Sequence, residues 1–436
     1  MDGPLARLRA DAGAAFAAAV EAVRPGHLVA RAVRLEDGRV TVLGEPLPEA
    51  RGRRVLAALG KAAPGLAAAW LEALPGWADT AFVLTPHGVP LPPGLEARAT
   101  VRRGAHPYPD AAGEAAAREL LELARSLEED DLLVVLLSGG ASALLAAPED
   151  GLSLADVVAA TRALLEAGAP IGAVNTVRRE ILAAGGGGLA AAAHPARVET
   201  LVLSDVLGDP LPDIASGPTV PSPTGPAQAL AVLERYRVRE RVNVAVVRLL
   251  ERRAAADPGG APRWAGRSRV RILANNATAV RAAAAELERR GYRTWRPSRP
   301  LAGEAAARGR QLGALLLAAE PPGPFAGILG GETTVTVRGG GRGGRNQELA
   351  LAAALELEGG PPRVLLAAGT DGVDGLTDAA GAVVDPGTAG RVRAAGIDPR
   401  VALAANDSGT ALAAAGDALV TGPTGTNVCD VTLLLG

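Results

Sequence analysis

The chain has 436 residues, of which 48% are hydrophobic and 21% are charged, and its formal net charge is −2. This length allows two domains that each bury a core, and the near-zero charge argues against a general nucleic-acid-binding protein. The single cysteine, Cys429, excludes an intrachain disulfide and a cysteine-based metal cluster. Because we recognise no signal peptide and no long apolar run, we expect a protein of the cytoplasm without a membrane partner.

Short aliphatic runs alternate along the chain with segments rich in Ala, Leu, Glu and Arg. The pattern predicts helices at about 5–23, 111–127 and 346–358, and strands at 28–33, 40–43, 55–59, 80–85, 132–137, 200–203, 270–274, 327–329, 333–337 and 364–367, with another strand ending near 102. Such alternation is typical of α/β layers with mostly parallel strands. We place a boundary near residue 240, which divides the chain into domains 1–240 and 241–436.

The basic residues contain one anomaly. Lysine and arginine together number 45, yet Lys61 is the single lysine in the chain. It follows the predicted strand 55–59 and opens a predicted helix, where an ammonium could meet a phosphate group. The GxxxxGK[ST] spacing of a P-loop is not found there, and chance survival of one lysine is the alternative explanation.

Polar residues are scarce, and they cluster at the ends of predicted strands, where open α/β sheets bind their ligands. After the strand 132–137 comes a turn of small residues that would let backbone amides approach an anion. Its candidate binding residues are Ser138, Gly139, Gly140 and Ser142. A tight turn selected for steric reasons is the alternative. His106 also follows a predicted strand, and by itself it is equally consistent with a loop histidine.

Two aspartates, Asp205 and Asp209, lie four residues apart after the strand 200–203. Because Mg²⁺ prefers oxygen ligands and keeps several waters, two carboxylates suffice to hold it, and they could equally orient a hydroxyl group. An Asp-rich turn that caps a helix is the alternative. A second pair, Asp371 and Asp374, follows a later strand among glycines, and Asp371 is a further candidate metal ligand.

The C-terminal half contains a Gly-rich run, 339–344, that matches GxGxxG between a strand and a helix, as a dinucleotide-binding loop would. A run with five glycines in six positions matches that pattern almost automatically, and we find no convincing acidic residue at the end of the next strand. Arg345, which follows the run, suits an anionic ligand. The other candidate binding residues of this half are Glu332, Asn346, Asn406, Asp407, Thr424 and Asn427.

Taken in chain order, these segments resemble the glycerate 2-kinase family. The matching segments are GKAA, HPYPD, SGGASALL, NTVRREI, SDVLGDP with ASGPTV, GGETTV, GGRNQELAL, GTDGVDG, NDS and TGPTGTNVCD. The resemblance extends from about residue 5 to 433, and its C-terminal part corresponds to the domain known as MOFRL. Each motif is weak alone, but their number and order make the set specific.

The resemblance implies a two-domain α/β enzyme with a larger Rossmann-like N-terminal domain, a smaller α/β C-terminal domain and an active site in the cleft between them. It also implies ATP as phosphoryl donor, Mg²⁺ as cofactor and D-glycerate as a small-molecule substrate that is phosphorylated at its 2-hydroxyl. By motif match, the catalytic residues would be Lys61, Asp205 or Asp209, and Arg345, the metal ligands would be Asp205, Asp209 and Asp371, and Asn175 and Arg178 would join the binding residues.

The chain departs from the family pattern at two positions after the Asn-x-x-Arg motif. Where relatives usually carry a histidine and a lysine, this chain has Glu180 and Gly185. If that lysine contacts phosphate in relatives, this chain lacks one positive charge, for which Arg178 or Arg179 could compensate.

The residues leave other functions open. An NAD(P)-dependent hydroxypyruvate reductase would use the Gly-rich run, and a kinase for another small hydroxy acid would use the same motifs. A non-catalytic metabolite-binding protein would need no retained lysine beside paired carboxylates. The residues alone decide neither between 2- and 3-phosphorylation nor whether the protein is a homodimer.

Overall fold

The computed structural model describes residues 3–36, 38–256, 260–320 and 323–436. Its strands are β1 (Val33–Glu36), β2 (Arg39–Val42), β3 (Glu45–Pro46), β4 (Arg54–Leu59), β5 (Thr80–Pro86), β6 (Thr100–Gly104), β7 (Leu132–Ser138), β8 (Arg197–Leu203), β9 (Ser268–Ala274), β10 (Arg293–Trp295), β11 (Leu301–Glu304), β12 (Phe325–Thr334), β13 (Val364–Gly369), β14 (Gly381–Val384), β15 (Ala418–Leu419) and β16 (Asp430–Leu435). Its α-helices are α1 (Pro4–Glu21), α2 (Pro25–Ala32), α3 (Ala63–Ala73), α4 (Ala111–Arg125), α5 (Ala141–Leu144), α6 (Leu154–Glu166), α7 (Ile171–Ile181), α8 (Gly188–Ala193), α9 (Pro226–Arg235), α10 (Val244–Ala256), α11 (Asn276–Arg289), α12 (Ala305–Ala318), α13 (Arg345–Leu357), α14 (Thr388–Ala394), α15 (Pro399–Ala404) and α16 (Ser408–Ala414). None of the helices in these ranges is long and apolar enough to span a bilayer.

The chain divides into two compact units. The N-terminal unit is Leu28–Leu273, and the C-terminal unit combines the segment that ends at His27 with Ala274–Gly436. This division differs from the expected boundary at 240/241. Strand β9 lies after that boundary but is hydrogen-bonded to β8, and helix α1 packs against α11, so contacts distant in sequence decide both assignments.

The N-terminal unit is built on a six-stranded sheet with the order β6-β5-β4-β7-β8-β9. The strands from β6 to β8 are parallel to their neighbours. Every residue of β7 is buried, as expected where helices cover both faces of a parallel sheet. Numbered from β4, the strand order is that of a doubly wound Rossmann sheet, which confirms the predicted Rossmann-like architecture.

The strand order of this sheet reverses between β4 and β7. Ligands of doubly wound sheets bind at such a switch point, beyond the carboxyl ends of the two strands. Leu59 of β4 pairs with Leu137 of β7, so the turns that follow them begin side by side. The fold therefore brings the turn containing Lys61 next to the turn containing Ser138.

Helix α4 shows how sequence and packing fix the elements around this sheet. Asp110 caps its first turn by accepting a hydrogen bond of 2.8 Å from the Gly113 amide, and Arg125 lies in its last turn, where a cation is favoured. Its apolar side faces a core that includes residues of β7. The buried residues of that side are Ala116, Ala117, Leu120, Leu121 and Ala124.

The C-terminal unit has a mixed sheet with the order β10-β12-β16-β13-β14-β15, and β11 also pairs with β12. Strand β16, the last of the chain, is antiparallel to both β12 and β13 and lies between them. The α/β prediction is therefore confirmed, but the expectation of mostly parallel strands holds for the N-terminal unit alone.

Three predicted strand segments differ from the structure. Residues 28–33 fall largely in helix α2, because Pro25 has the backbone geometry of a first helical position. The predicted strands 327–329 and 333–337 correspond to the single strand β12, which ends at Thr334, so residues 335–337 lie outside it. A Cβ on Gly331 would lie 2.1 Å from the Leu301 carbonyl oxygen, so only glycine allows the close approach of β11.

Candidate active site

The turns after β4 and β7 are joined by backbone contacts. The Lys61 amide donates a 2.9 Å hydrogen bond to the Gly139 carbonyl, and the Ala62 amide donates to Oγ of Ser138 at 3.1 Å. Gly60 has φ 109°, and a Cβ there would lie 2.4 Å from the Ser138 carbonyl oxygen. Only glycine fits at this position, so the sequence Gly60-Lys61 fixes where the lysine side chain leaves the backbone.

Lys61 is half-buried, and its ammonium has no carboxylate within 4.0 Å among the described residues of the N-terminal unit. An ammonium at a switch point with no carboxylate partner in the described part of its own unit could meet an anionic ligand. Its role as a ligand-binding residue stays a prediction.

His106 lies beside Lys61 over Gly140. A Cβ on Gly140 would lie 3.2 Å from both Cδ2 of His106 and Cγ of Lys61, so the glycine allows both side chains to approach. Although the residue as a whole is exposed, desolvation of its ring and then the charge of Lys61 lower the pKa of His106 to about 4. Its imidazole is therefore neutral at neutral pH.

Asp205 lies against the same turn. A Cβ on Gly139 would be 1.8 Å from Oδ2 of Asp205, so the carboxylate occupies the space that any other side chain would fill. In the part of the chain that the structure describes, no three His, Cys, Asp or Glu side chains are grouped to hold a metal ion. Since Mg²⁺ usually takes one or two carboxylates plus substrate phosphates, Asp205 has suitable donor chemistry, and Asp209 follows on the same loop with φ 51°.

Arg178 approaches the site from α7. Its Nη2 donates a 2.9 Å hydrogen bond to the Ser142 carbonyl, and Oγ of Ser142 lies 3.1 Å from Oγ of Ser216. Burial lowers the pKa of the Arg178 guanidinium, and its buried Nε has no hydrogen-bond acceptor among the described residues. Ser216 lies in the matching segment ASGPTV.

Arg179, the next residue, is used internally. It forms a 3.0 Å ion pair with Asp213 and donates to the Pro212 carbonyl at 3.3 Å. Asn175 donates to the same aspartate at 3.4 Å. Of the two arginines that could replace the missing lysine charge, Arg179 is therefore committed to a neighbouring loop.

The two positions that depart from the family pattern contact α7 or its neighbours. Nη1 of Arg253 lies 3.9 Å from Oε2 of Glu180 and donates a 2.7 Å hydrogen bond to the Glu180 backbone carbonyl. A Cβ on Gly185 would lie 3.0 Å from Cα of Arg179, so the chain packs tightly against α7. A lysine at Gly185 would require a shift of this backbone.

In the C-terminal unit, Arg345 is engaged on every side of its guanidinium. Nε and Nη2 donate to the two carboxylate oxygens of Asp430 at 2.6 and 2.9 Å, and Nη1 lies 3.1 Å from Oε1 of Glu332. Burial alone would lower the pKa of Arg345, but the bonds and charge of Asp430 and then the charge of Glu332 raise it above its ordinary value. The sequence predicted Arg345 and Glu332 but missed Asp430, which lies at the end of TGPTGTNVCD.

Asp374 caps the helix that begins at Arg345. It accepts hydrogen bonds from the amides of Asn346 and Gln347, at 3.1 and 2.8 Å, and a Cβ on Gly344 would lie 2.3 Å from its Oδ1. Burial raises the pKa of Asp374 to about 6, and the two amide hydrogen bonds oppose the increase. The predicted ligand Asn346 is thus buried as a partner of Asp374.

Asp371 has different surroundings from Asp374. Its Oδ1 accepts a 3.2 Å hydrogen bond from the Val373 amide and lies 3.0 Å from a Cβ built on Gly369. Oδ1 of Asp430 lies 3.4 Å from the same point. The sequence treated the two aspartates as one pair, whereas the structure separates a helix cap from a carboxylate near the Arg345–Asp430 pair.

The Gly-rich run packs against the chain itself. The Asn406 side chain accepts from the amides of Arg338 and Gly339 at 2.7 and 3.0 Å, and Asp407 accepts from the Arg342 amide at 2.8 Å. A Cβ on Gly339 would lie 2.4 Å from the Ala405 carbonyl oxygen. These contacts explain the glycines without a dinucleotide, and Asn406 and Asp407 hold this loop.

The segment before β16 is held by its own polar side chains. Thr424 donates a 2.6 Å hydrogen bond to the Thr370 carbonyl, and Oδ1 of Asn427 accepts from the Cys429 amide at 3.1 Å. Both predicted binding residues therefore contribute to the conformation of this segment.

Family models match most of the chain. One described as "Domain of unknown function (DUF4147)" matches residues 11–251, and one described as "MOFRL family" matches residues 325–430. A protein named "D-glycerate 2-kinase" from Thermotoga maritima is 39% identical over 89% of this chain and 92% of its own length. The chain belongs to the glycerate kinase family. The resemblance found in the sequence motifs is confirmed.

Further members of the family carry two kinds of name. A crystal structure of a glycerate kinase from Thermotoga maritima matches with a TM-score of 0.87 and 37% identity, covering 98% of this chain and 99% of that one. A protein named "Putative hydroxypyruvate reductase" from Agrobacterium vitis is 40% identical over 93% of this chain and 92% of its own length. Two chemistries therefore have to be weighed against the site.

Proposed function

We propose that the protein transfers the terminal phosphoryl group of ATP to the 2-hydroxyl of D-glycerate, which gives 2-phosphoglycerate and ADP. The observation that carries this proposal is the Lys61 ammonium, which has no carboxylate partner within the described N-terminal unit and lies at the switch point of a Rossmann-type sheet. Phosphoryl transfer requires positioning and charge neutralisation more than covalent chemistry, and such a lysine supplies both.

The residues around Lys61 have complementary tasks in this proposal. Lys61 neutralises oxygens of the transferring phosphoryl group, and the neutral His106 beside it adds a hydrogen-bonding group without a competing charge. Asp205, held against Gly139, orients the substrate hydroxyl and accepts its proton late in the transfer. Because Gly139 and Gly140 carry no side chain, Lys61, His106 and Asp205 can approach this turn closely and act on one ligand.

Asp205 is also the first candidate to hold Mg²⁺, with Asp209 and Asp371 as further candidates. When bound, Mg²⁺ would neutralise charge on the ATP phosphates. A carboxylate that holds the ion cannot at the same time accept the proton of the hydroxyl, so the two tasks of Asp205 are alternatives.

Arg345 contributes a permanent positive charge to the same reaction in this proposal. Asp430 raises the pKa of Arg345, so the guanidinium is charged throughout the physiological pH range. The two hydrogen bonds from Arg345 to Asp430 fix its orientation. Asp430 and Glu332 already contact both edges of the guanidinium. We therefore assign Arg345 an electrostatic role and not bidentate binding of the substrate carboxylate.

The reductase alternative loses its sequence support at the Gly-rich run. A dinucleotide-binding turn joins a strand closely to a helix, whereas ten residues separate Thr334 at the end of β12 from Arg345. A Cβ built on any of four glycines of that run would lie within 3.0 Å of other protein atoms. These glycines are Gly339, Gly341, Gly343 and Gly344. The kinase is therefore the better supported function.

Two assays on the same purified protein test this choice. One follows ADP release from Mg-ATP with D-glycerate and with other small hydroxy acids, and the other follows oxidation of NADH or NADPH with hydroxypyruvate. We expect ADP release that depends on D-glycerate and no nucleotide oxidation. Nucleotide oxidation without ADP release would contradict the proposal, and ADP release with a different acid would move it to that acceptor.

A further inference from the structure

The basic side chains near the predicted motifs differ in whether they have a carboxylate partner. Arg345 and Arg179 each form ion pairs within their own unit. Arg178 forms none with the described residues of the N-terminal unit, and the one acceptor of its guanidinium there is the Ser142 carbonyl, at 2.9 Å. Of the three arginines, Arg178 is the one whose charge the N-terminal unit leaves without compensation.

The burial of Arg178 makes that absence informative. A buried cation without an anion costs free energy, because it loses hydration and gains no ion pair in return. Burial lowers the pKa of the Arg178 guanidinium, and its Nε–H has no acceptor among the described residues although the atom is inaccessible to solvent. An anion that binds at the terminal nitrogens of the guanidinium would compensate its charge.

The position of Arg178 connects it to the switch point. Ser142, which accepts its hydrogen bond, lies two residues after Gly140, and a Cβ built on Gly140 would lie 3.2 Å from Cγ of Lys61. Arg178 and Lys61 therefore flank one short turn. A ligand that spans this turn would place one anionic group at the arginine and another at the lysine.

We propose that Arg178 binds the carboxylate of the acceptor substrate and thereby selects 2-hydroxy acids over neutral alcohols. A planar guanidinium suits a planar carboxylate, whereas the compact ammonium of Lys61 suits the phosphoryl group. The proposal rests on the proposed kinase activity. It assigns the binding of the substrate carboxylate to Arg178, because the guanidinium of Arg345 is already bonded to Asp430 and Glu332.

The test compares acceptors and variants. Wild type, Arg178→Gln and Arg178→Lys are assayed for kcat and KM with D-glycerate, with glycerol as a neutral acceptor, and with ATP, and Arg239→Gln is the control, since Arg239 forms an exposed ion pair with Glu234. We expect Arg178→Gln to raise the KM for D-glycerate about 100-fold and to leave the KM for ATP within about threefold of wild type. The preference for D-glycerate over glycerol should fall by a similar factor, and Arg178→Lys should recover part of it.

Several results would overturn the inference. A rise in the KM for ATP instead would assign Arg178 to a phosphate, and an equal loss with both acceptors would assign it a purely structural role. Should Arg178→Gln fail to fold, Arg178→Lys decides by the same ratio of acceptors. If the wild type phosphorylates no acceptor, calorimetric titration of D-glycerate into wild type and Arg178→Lys still tests carboxylate binding, and equal affinities would refute it.

Discussion

The cations at the candidate site differ between the two units in whether they have a carboxylate partner. In the N-terminal unit, Lys61 and Arg178 flank the turn after β7 without a carboxylate partner in the described part of that unit. In the C-terminal unit, Arg345 is bonded to Asp430 and Glu332, and Arg391 joins the buried Asp385 and Asp417 at 2.9 and 2.7 Å. Lys61 and Arg178 are thus candidates to bind an anionic ligand, whereas Arg345 and Arg391 are paired within their own unit, as Arg179 is with Asp213 in the N-terminal unit.

The sheets explain part of this difference. A parallel doubly wound sheet brings successive turns to one edge at its switch point, where backbone groups and side chains converge on a ligand. In the mixed sheet of the C-terminal unit, the antiparallel strand β16 lies between β12 and β13. Its first residue, the buried Asp430, is paired with Gly331 of β12 and Gly369 of β13. That carboxylate has to be paired, and Arg345 pairs it.

The largest effect is expected from Lys61→Ala. Because the ammonium has no carboxylate partner in the described N-terminal unit, its removal should lower kcat/KM about 1,000-fold or more and change the free energy of unfolding by less than about 1 kcal/mol. Lys61→Arg should recover less than a tenth of the activity, because a planar guanidinium does not replace the compact ammonium. Steady-state kinetics with chemical denaturation measure both, and a large loss of stability would show that Lys61 is a structural residue.

Arg345→Ala should lower stability as well as activity. The substitution leaves Asp430 buried without its partner, at a cost of about 2–4 kcal/mol in the free energy of unfolding. Denaturation of the full chain measures this cost. The matched control is Arg393→Gln, which breaks an exposed pair with Glu358 and should leave the free energy of unfolding close to that of wild type. Equal costs for the two variants would remove the contrast between the units.

A smaller effect is expected in the pH dependence of the free energy of unfolding, to which Asp374 contributes. Its pKa in the folded protein, about 6, lies above the ordinary value of 3.8, so between these values the native state binds more protons than the unfolded state. The contribution of Asp374 to the free energy of unfolding therefore falls as pH rises from about 4 to about 6, and it is constant above that range.

The variant Asp374→Asn isolates this contribution. The difference in unfolding free energy between wild type and variant should shift by up to about 3 kcal/mol between pH 4 and pH 6.5, with wild type relatively more stable at the lower pH. Asp378→Asn, at an exposed position of the same loop, should show no such shift. A difference that stays constant with pH would contradict the raised pKa.

The sequence predicted what local pattern determines. The buried strands 55–59 and 132–137 and the turns that follow them have strong signals, because aliphatic runs and glycines act over a few residues. The partner of Arg345 could not be predicted, since Asp430 lies 85 residues away. Asp430 is on β16, and the pairing of β16 with β12 and β13 fixes its position. The same limit explains the boundary near 240, because β9 and α1 join their units through contacts distant in sequence.

Residues of equal appearance in the sequence also received different roles. Arg178 and Arg179 are neighbours, and the turn of α7 sends one towards Ser142 and the other into an ion pair with Asp213. The aspartates Asp371 and Asp374 were likewise one motif, and burial distinguishes them. Residue type and spacing therefore identified the motif, and packing decided how deeply each member is buried and which contacts it makes.

The central claim is that Lys61 supports phosphoryl transfer to the 2-hydroxyl of D-glycerate. The most direct test is ³¹P NMR of the purified protein with Mg-ATP and D-glycerate through turnover, with Lys61→Ala run in parallel. The account predicts a 2-phosphoglycerate resonance that grows with that of ADP in wild type and is nearly absent in the variant. A folded wild type that forms no phosphoester, or a variant that forms it at the wild-type rate, would contradict the account.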